Sequence, residues 1–220
     1  MPRLGLVNSL ASGNPFKAFL RYVTDGLKLY MPYKKKSGTV QFVGTGSTAF
    51  ARGSNHYIST GVDTLTGQTS RTVSCWYKSS EQSNQRYICG EQSGSSSNKG
   101  FVAYMGTNGQ ITARVDNNDI TMSVVTTATR TDDNSWHHFS FTYTASIGAE
   151  LFIDGISVAT NTTSAWASQG GVSTTNWYIG TYANSSDVVQ TGYNWDGSLK
   201  NVAIWNRALT ATEVQNVMYK

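Results

Sequence analysis

Apolar and polar side chains alternate with a period of two along most of this chain. Leu27, Leu29 and Met31 alternate with Lys28 and Tyr30. Thr72-Val-Ser-Cys-Trp-Tyr-Lys78 forms a second run, closed by the polar stretch Ser79–Gln85, and Arg86-Tyr-Ile-Cys-Gly90 returns from it. Phe101–Met105, Ile111–Val115 and Ile120–Val125 follow, separated by Gly, Asn and Asp. Within Trp136–Tyr143, one parity holds Trp136, His138, Ser140 and Thr142, and the other holds His137, Phe139, Phe141 and Tyr143. A period of two sends successive side chains to opposite faces, so each run predicts a half-buried strand. Asp154-Gly155, between Leu151-Phe-Ile153 and Ile156-Ser-Val158, predicts the tightest turn. Both residues tolerate positive φ, which a type I′ hairpin requires.

Helix signals are few. Thr210 and Glu213 form a capping box, with Leu209 placed to staple onto Val214, so one short C-terminal helix is predicted. Asn14-Pro15, with Gly26 beyond it, reads as a second helix start, although Phe19, Tyr22 and Val23 fit a strand nearly as well. Many short strands with almost no helix predict an all-β fold, a two-sheet antiparallel jelly-roll sandwich.

Composition narrows the class. Of 220 residues 39% are hydrophobic, enough for one sizeable core, while only 14% are charged, which argues against a coiled coil or a disordered tail. No apolar run approaches the length of a membrane span, so no membrane partner is expected. The net charge of +4 is segregated: residues 1–36 carry seven basic groups against one acid, Asp25, and the rest of the chain carries ten against twelve. Two units are therefore predicted, a basic arm over 1–25 and a sandwich over 26–220. The arm would dock on an acidic or apolar surface through Arg3, Lys17, Arg21, Lys34, Lys35 and Lys36, with Phe16, Phe19 and Tyr22 as apolar anchors. The start of the chain shows no secretory h-region, which predicts assembly in a cytoplasm.

Several segments together resemble laminin-G-like domains of the concanavalin A-like lectin/glucanase superfamily. They are Gly26-Leu-Lys-Leu-Tyr-Met-Pro-Tyr33, Gly53-Ser-Asn-His-Tyr-Ile58, Thr72-Val-Ser-Cys-Trp76, Trp136-His-His-Phe-Ser-Phe-Thr142, Leu151-Phe-Ile-Asp-Gly155, Tyr178-Ile-Gly180 and the stretch from Gly197 to Leu209. The resemblance implies a concanavalin A-like jelly roll of about 12–14 strands that binds glycans or proteins, or builds assemblies. Met-Pro-Arg-Leu-Gly-Leu loosely resembles the start of structural proteins of tailed bacterial viruses. From these comes one functional expectation: a non-enzymatic virion structural protein, decorating a capsid or tail. It would be oligomeric, with other virion proteins rather than nucleic acid as partners. The alternative is a carbohydrate-binding module that adheres to host-surface glycans.

The candidate chemistry is sparse. Glycosidases resembling this fold carry Glu-x-Asp-x-x-Glu, and that motif is missing, so no catalytic residues are assigned. Glu81, Glu91 and Glu213 are expected in loops or at the helix start, with Asp154 committed to the turn. His137-His138 reads as core strand, with no carboxylate expected nearby, and His56 as a loop or strand-edge residue. Calcium, which many relatives hold, is weakly indicated at Asp63, Asp196 and Asn201, although Lys200 stands where the family has an acid; otherwise no cofactor is expected. If 72–78 and 86–92 paired as one hairpin, Cys75 and Cys89 would face each other across it, a geometry open to a disulfide but favouring buried thiols in a reducing compartment. Trp76, Trp136, Trp177 and Trp205 are expected in the core, and Trp195 as a buried aromatic. Trp166, in a polar loop, is the sharpest candidate for stacking a sugar, with Tyr104, Tyr182 and Tyr193 behind it.

Overall fold

The computed structural model describes residues 25–31, 41–43, 47–61, 69–93, 99–117, 120–125, 130–145, 147–162, 176–183 and 188–219. Fourteen strands occur among them, in chain order β1 (Leu27–Met31), β2 (Gln41–Val43), β3 (Ser47–Phe50), β4 (Ile58–Ser59), β5 (Ser70–Lys78), β6 (Arg86–Ser93), β7 (Lys99–Met105), β8 (Ile111–Asn117), β9 (Ile120–Val125), β10 (His137–Thr144), β11 (Gly148–Ile153), β12 (Ile156–Asn161), β13 (Tyr178–Ile179) and β14 (Gly197–Trp205). The helix α1 (Ala211–Met218) follows. One sheet has eight strands in the order β12-β11-β10-β5-β14-β3-β2, with β1 also paired to β14; the other has six, β4-β13-β6-β7-β8-β9. All pairings are antiparallel.

The core lies between the sheets, where the alternation sends it. Val73, Cys75 and Tyr77 of β5 and Phe139, Phe141 and Tyr143 of β10 meet Phe101, Ala103 and Met105 of β7 and Ile111, Ala113 and Val115 of β8, all fully buried. Phe101 spans the layers, 5.4 Å from the Phe141 ring and stacked at 5.5 Å on Trp177. Asp154 and Gly155 take φ of 52° and 74°, the left-handed pair that the hairpin between β11 and β12 needs. At the C-terminus, Thr210 accepts a hydrogen bond from the Glu213 amide while the Glu213 carboxylate accepts from the Thr210 amide. Arg207 holds the same carboxylate in a bidentate pair at 2.6 and 2.9 Å, pulling Glu213 down to about 2.

A second apolar cluster forms on the outer face of the eight-stranded sheet. There α1 seats Val214 and Val217, with Leu209, on Phe152, Ala203 and Trp205. The Thr72 hydroxyl fixes the approach to the helix, donating to the Arg207 carbonyl at 2.9 Å and accepting from the Leu209 amide at 2.8 Å.

Three expectations are corrected. First, β5 and β6 do not form a hairpin: β5 pairs with β10 and β14, β6 with β7 and β13, so Ser79–Gln85 crosses between sheets. Cys75 and Cys89 point into the core from opposite sheets as free thiols, and burial pushes both thiol pKa values up. Second, Glu91 is not in a loop but within β6, fully buried. Third, Trp76 and Trp136 are half-buried rather than core, because their parity points away from the opposite sheet. The Lys200 ammonium lies between them, 5.1 Å from the Trp76 ring and 4.4 Å from the Trp136 ring. Trp177, Trp195 and Trp205 are fully buried, as expected.

Candidate binding face on the six-stranded sheet

Along β6, β7 and β8 the residues that do not enter the core share the outer face of the six-stranded sheet. The register sets Tyr87 opposite Tyr104, and Tyr104 opposite Thr112. One step along, Gly90 faces Val102, and Val102 faces Arg114. Residues 180–183 and 188–193 lie against this face and add Tyr182 and Tyr193. The result is a tyrosine cluster. The Tyr87 ring lies 4.2 Å from Tyr182, 5.0 Å from Tyr104 and 5.9 Å from Tyr193, and Tyr182 lies 6.1 Å from Tyr193. Tyr87 forms the floor at 7% exposure, while Tyr193 at the rim is 40% exposed. Burial pushes the Tyr87 and Tyr182 phenols above their ordinary pKa, so both stay protonated donors at neutral pH. Beside the cluster, Tyr57 packs on Tyr178 at 5.9 Å.

Local chemistry explains why the cluster assembles. Gly90 leaves room for Tyr182, since a Cβ there would come within 3.1 Å of the Tyr182 Cβ and 2.9 Å of Val102 Cγ1. The Gln190 amide donates to the Tyr182 carbonyl at 3.0 Å and the Tyr193 amide to the Gln190 carbonyl at 3.1 Å, closing the segment on itself. Arg52 Nη2 donates to the Gly192 carbonyl at 2.5 Å and the Asn194 side-chain amide to the His56 carbonyl at 3.1 Å, tying the segment to residues 51–57. Gly180, at φ 81°, turns the chain where any Cβ would strike the Phe50 ring at 2.5 Å.

Of the four aromatic candidates named from sequence, the structure brings Tyr104, Tyr182 and Tyr193 together. Trp166 lies outside the described residues, as do the docking residues Arg3, Phe16, Lys17, Phe19, Arg21, Tyr22, Lys34, Lys35 and Lys36 and the calcium candidate Asp63. Sequence reasoning missed Tyr87, the floor of the cluster. Its signal was parity: it shares a face with Tyr104 once β6 and β7 are paired.

The histidines need a correction. His137 has carboxylates on both sides, its Nδ1 2.7 Å from Asp154 Oδ2 and its Nε2 3.3 Å from Asp133 Oδ1. Asp154 Oδ1 also accepts the His138 amide at 2.7 Å, so the turn carboxylate clamps the start of β10. His138 itself is buried on the outer face of the eight-stranded sheet, 2.9 Å from the Ser74 hydroxyl, and burial drops its pKa to about 3. A neutral, sealed imidazole is a packing group rather than a proton shuttle. His56 sits in the loop 51–57, accepting the Ala51 amide through Nδ1 at 3.3 Å.

Asp196 lines a cleft of about 230 Å³ with Lys78, Ser80, Glu81, Asn134 and Ser198. Asn201 is not in it; at φ 51° it makes the bulge between Lys200 and Ala203. No three His, Cys, Asp or Glu side chains among the described residues are grouped to hold a metal ion. Glu81 and Asp196 thus both line this cleft. Glu81 is held below the ordinary glutamate range, chiefly by the Ser83 amide donating to its Oε1 at 2.6 Å.

Comparison with known proteins agrees with this architecture. The family profile described as concanavalin A-like lectin/glucanases superfamily, of laminin-G type, matches residues 52–215. No curated protein matches the chain. Among solved structures, the botulinum neurotoxin type G receptor binding domain superposes with a TM-score of 0.62 at 14% identity, over 88% of this chain and 51% of that one. This chain thus spans about half the length of that toxin domain. The CBM40 of a Ruminococcus gnavus IT-sialidase, solved bound to α2,3-sialyllactose, gives 0.54 at 15% identity over 69% of this chain and 84% of that one. A heptameric SAP-like pentraxin from Limulus polyphemus gives 0.54 at 18% identity, covering 70% of this chain and 71% of that one. Matched from residue 52 to residue 215, the chain belongs to the concanavalin A-like lectin/glucanases superfamily.

Proposed function

We propose that this protein is a non-enzymatic carbohydrate-binding module whose binding surface is the tyrosine cluster on the outer face of the six-stranded sheet. The observation that carries the reading is the convergence of Tyr87, Tyr104, Tyr182 and Tyr193, with rings 4.2–6.1 Å apart and Tyr193 at a solvent-facing rim. Tyrosine suits a sugar because its face covers axial C–H groups while its hydroxyl meets the sugar's hydroxyls. The fold neighbour that holds α2,3-sialyllactose supports a glycan as the ligand class. The sequence carries no Glu-x-Asp-x-x-Glu, the motif used by glycosidases that resemble this fold, which supports the non-enzymatic part of the reading. Binding of the full chain to an array of host-surface glycans tests it. Tyr193→Ala should weaken glycan binding about thirtyfold while leaving the circular dichroism spectrum unchanged; undiminished binding would move the site elsewhere.

A second reading concerns where the module is carried. The seven basic groups of residues 1–36 against one acid favour a leader that docks the sandwich onto an acidic partner such as a capsid or tail subunit, so that the protein reaches a virion assembled in a host cytoplasm. Removing residues 1–25 should leave the sandwich folded and abolish co-sedimentation with virus particles; undiminished incorporation would remove the reading.

A further inference from the structure

We infer that the polar cleft at the end of the eight-stranded sheet binds a small zwitterion, a free α-amino acid, with its ammonium on Glu81 and Asp196 and its carboxylate on Lys78. The inference goes beyond the carbohydrate reading and does not depend on it, since no residue lining the cleft belongs to the tyrosine cluster.

Three segments converge to make the cleft. β5 ends at Lys78 and the chain runs on into Ser80 and Glu81, β14 begins at Gly197 just after Asp196, and Asn134 comes from the loop before β10. The register sets Ser198 opposite Lys78, and the burial of Tyr77 and Leu199 in the core turns these two neighbours outward. The walls are fixed from beneath. The buried Ser79 hydroxyl donates to the Asp196 carbonyl at 2.6 Å and accepts from Arg86 Nε at 3.1 Å and from the Glu81 amide at 3.2 Å. The Asn134 amide donates to the Ser79 carbonyl at 3.0 Å. A Cβ at Gly197 would strike the Lys78 carbonyl, so the two strand ends lie as close as glycine allows.

The backbone is committed, whereas the side chains are not. Among the described residues, none forms a hydrogen bond or ion pair with the side-chain polar atoms of Lys78, Ser80, Asn134, Asp196 or Ser198. Glu81 uses Oε1 to accept from the Ser83 amide at 2.6 Å and from Asn84 at 3.5 Å, which leaves Oε2 open. One ammonium and two carboxylates therefore stand unpaired around one space. A simple cation entering it meets Lys78, a simple anion meets Glu81 and Asp196, and an uncharged molecule answers none of the three. A molecule carrying both charges answers all of them with charge-assisted hydrogen bonds. The Asn134 side-chain amide and the Ser80 and Ser198 hydroxyls add neutral donors and acceptors for a short polar side chain. Volume sets the size: the cleft's 230 Å³ falls below the roughly 300–1,000 Å³ of pockets that take drug-sized ligands, which points to a single amino acid.

The test is a chemical-shift titration of the full chain with glycine, L-serine and L-glutamine. The tightest binder is then compared with its amide, which lacks the carboxylate, and with its N-acetyl derivative, which lacks the ammonium. Signals of Lys78–Glu81, Asn134 and Asp196–Ser198 should move, and each derivative should bind about tenfold more weakly, the worth of one charge-assisted hydrogen bond. Lys78→Gln should weaken the amino acid about tenfold while leaving the amide as it was, and Asp196→Asn should weaken the amino acid while leaving the N-acetyl form as it was. The derivative series uses the unaltered protein, so a variant that fails to fold leaves the test intact. Three results would each overturn the inference: no saturable shift with any of these amino acids, shifts confined to residues outside the cleft, or undiminished binding of either derivative. None of them bears on the tyrosine face, whose ligand is read on the glycan array.

Discussion

Helix α1 lies across the outer face of the eight-stranded sheet, sealing Phe152, Ala203 and Trp205, while on the outer face of the six-stranded sheet Tyr193 stays 40% exposed above a buried Tyr87. Both faces are made by the same device, alternating strands whose second parity is not needed for the inter-sheet core. Their fates differ in what is laid over them. On the first, an amphipathic helix and a lysine held between two indoles satisfy the face internally. On the second, a loop delivers more aromatics instead of covering those already there. Aromatic residues near a sheet surface are thus no guide to binding by themselves; what counts is whether the molecule has already used their faces. Trp76 and Trp136 have theirs taken by Lys200, whereas Tyr193 at the rim of the tyrosine cluster keeps its ring exposed.

The contrast can be broken most forcefully from the closed side. Trp205→Ala should cost about 3–5 kcal/mol in chemical denaturation, through lost burial and the cavity it leaves, with glycan affinity per folded molecule unchanged. An acid titration comes next and needs no substitution. The His138 imidazole, held neutral by burial, gains a proton only near pH 3, whereas in the unfolded chain it gains one in the ordinary histidine range near 6.5. Between those values the unfolded state binds the extra proton, so stability falls as pH drops through that window. Imidazole resonances of His138 that stay constant from pH 7 to pH 4 would bear this out, and a midpoint near 6.5 would contradict the sealed face.

On the open side, Tyr193→Ala should weaken glycan binding by about 2 kcal/mol, as for an anchor aromatic, while global stability shifts by no more than about 0.5 kcal/mol. Thr210→Ala removes the helix cap and should cost about 1 kcal/mol of stability without touching affinity. Smallest of all, Lys200→Met should cost about 0.5–1 kcal/mol, the worth of a partly exposed cation–π contact, and should leave sugar binding as it was.

Local chemistry was legible in the sequence where the cause is local. Asp154-Gly155 needs positive φ and has it, and Thr210 with Glu213 closes the predicted capping box. The parity of His137–Tyr143 also reads through to the core. What a period of two does not reveal is which strand a strand will pair with. The alternation allows the segment after Lys78 to return as a hairpin, yet it crosses to the opposite sheet, and Cys75 and Cys89 meet through the core instead of across a ladder. The same limit hid the site. Tyr87, Tyr104, Tyr182 and Tyr193 are spread along the sequence and become neighbours only through the β6–β7 register and the placement of Tyr182 and Tyr193 against Tyr87. Trp76 and Trp136 misled for a related reason: an aromatic in a strand motif looks like core until the second parity is found to face outward.

The account turns on the tyrosine face being where ligand sits, and chemical-shift mapping with a bound oligosaccharide tests that most directly. Perturbations should concentrate on Tyr87, Tyr104, Thr112, Arg114, Tyr182 and Tyr193. Perturbations confined to the cleft of Lys78, Glu81, Asp196 and Ser198, with the tyrosine signals unmoved, would contradict it.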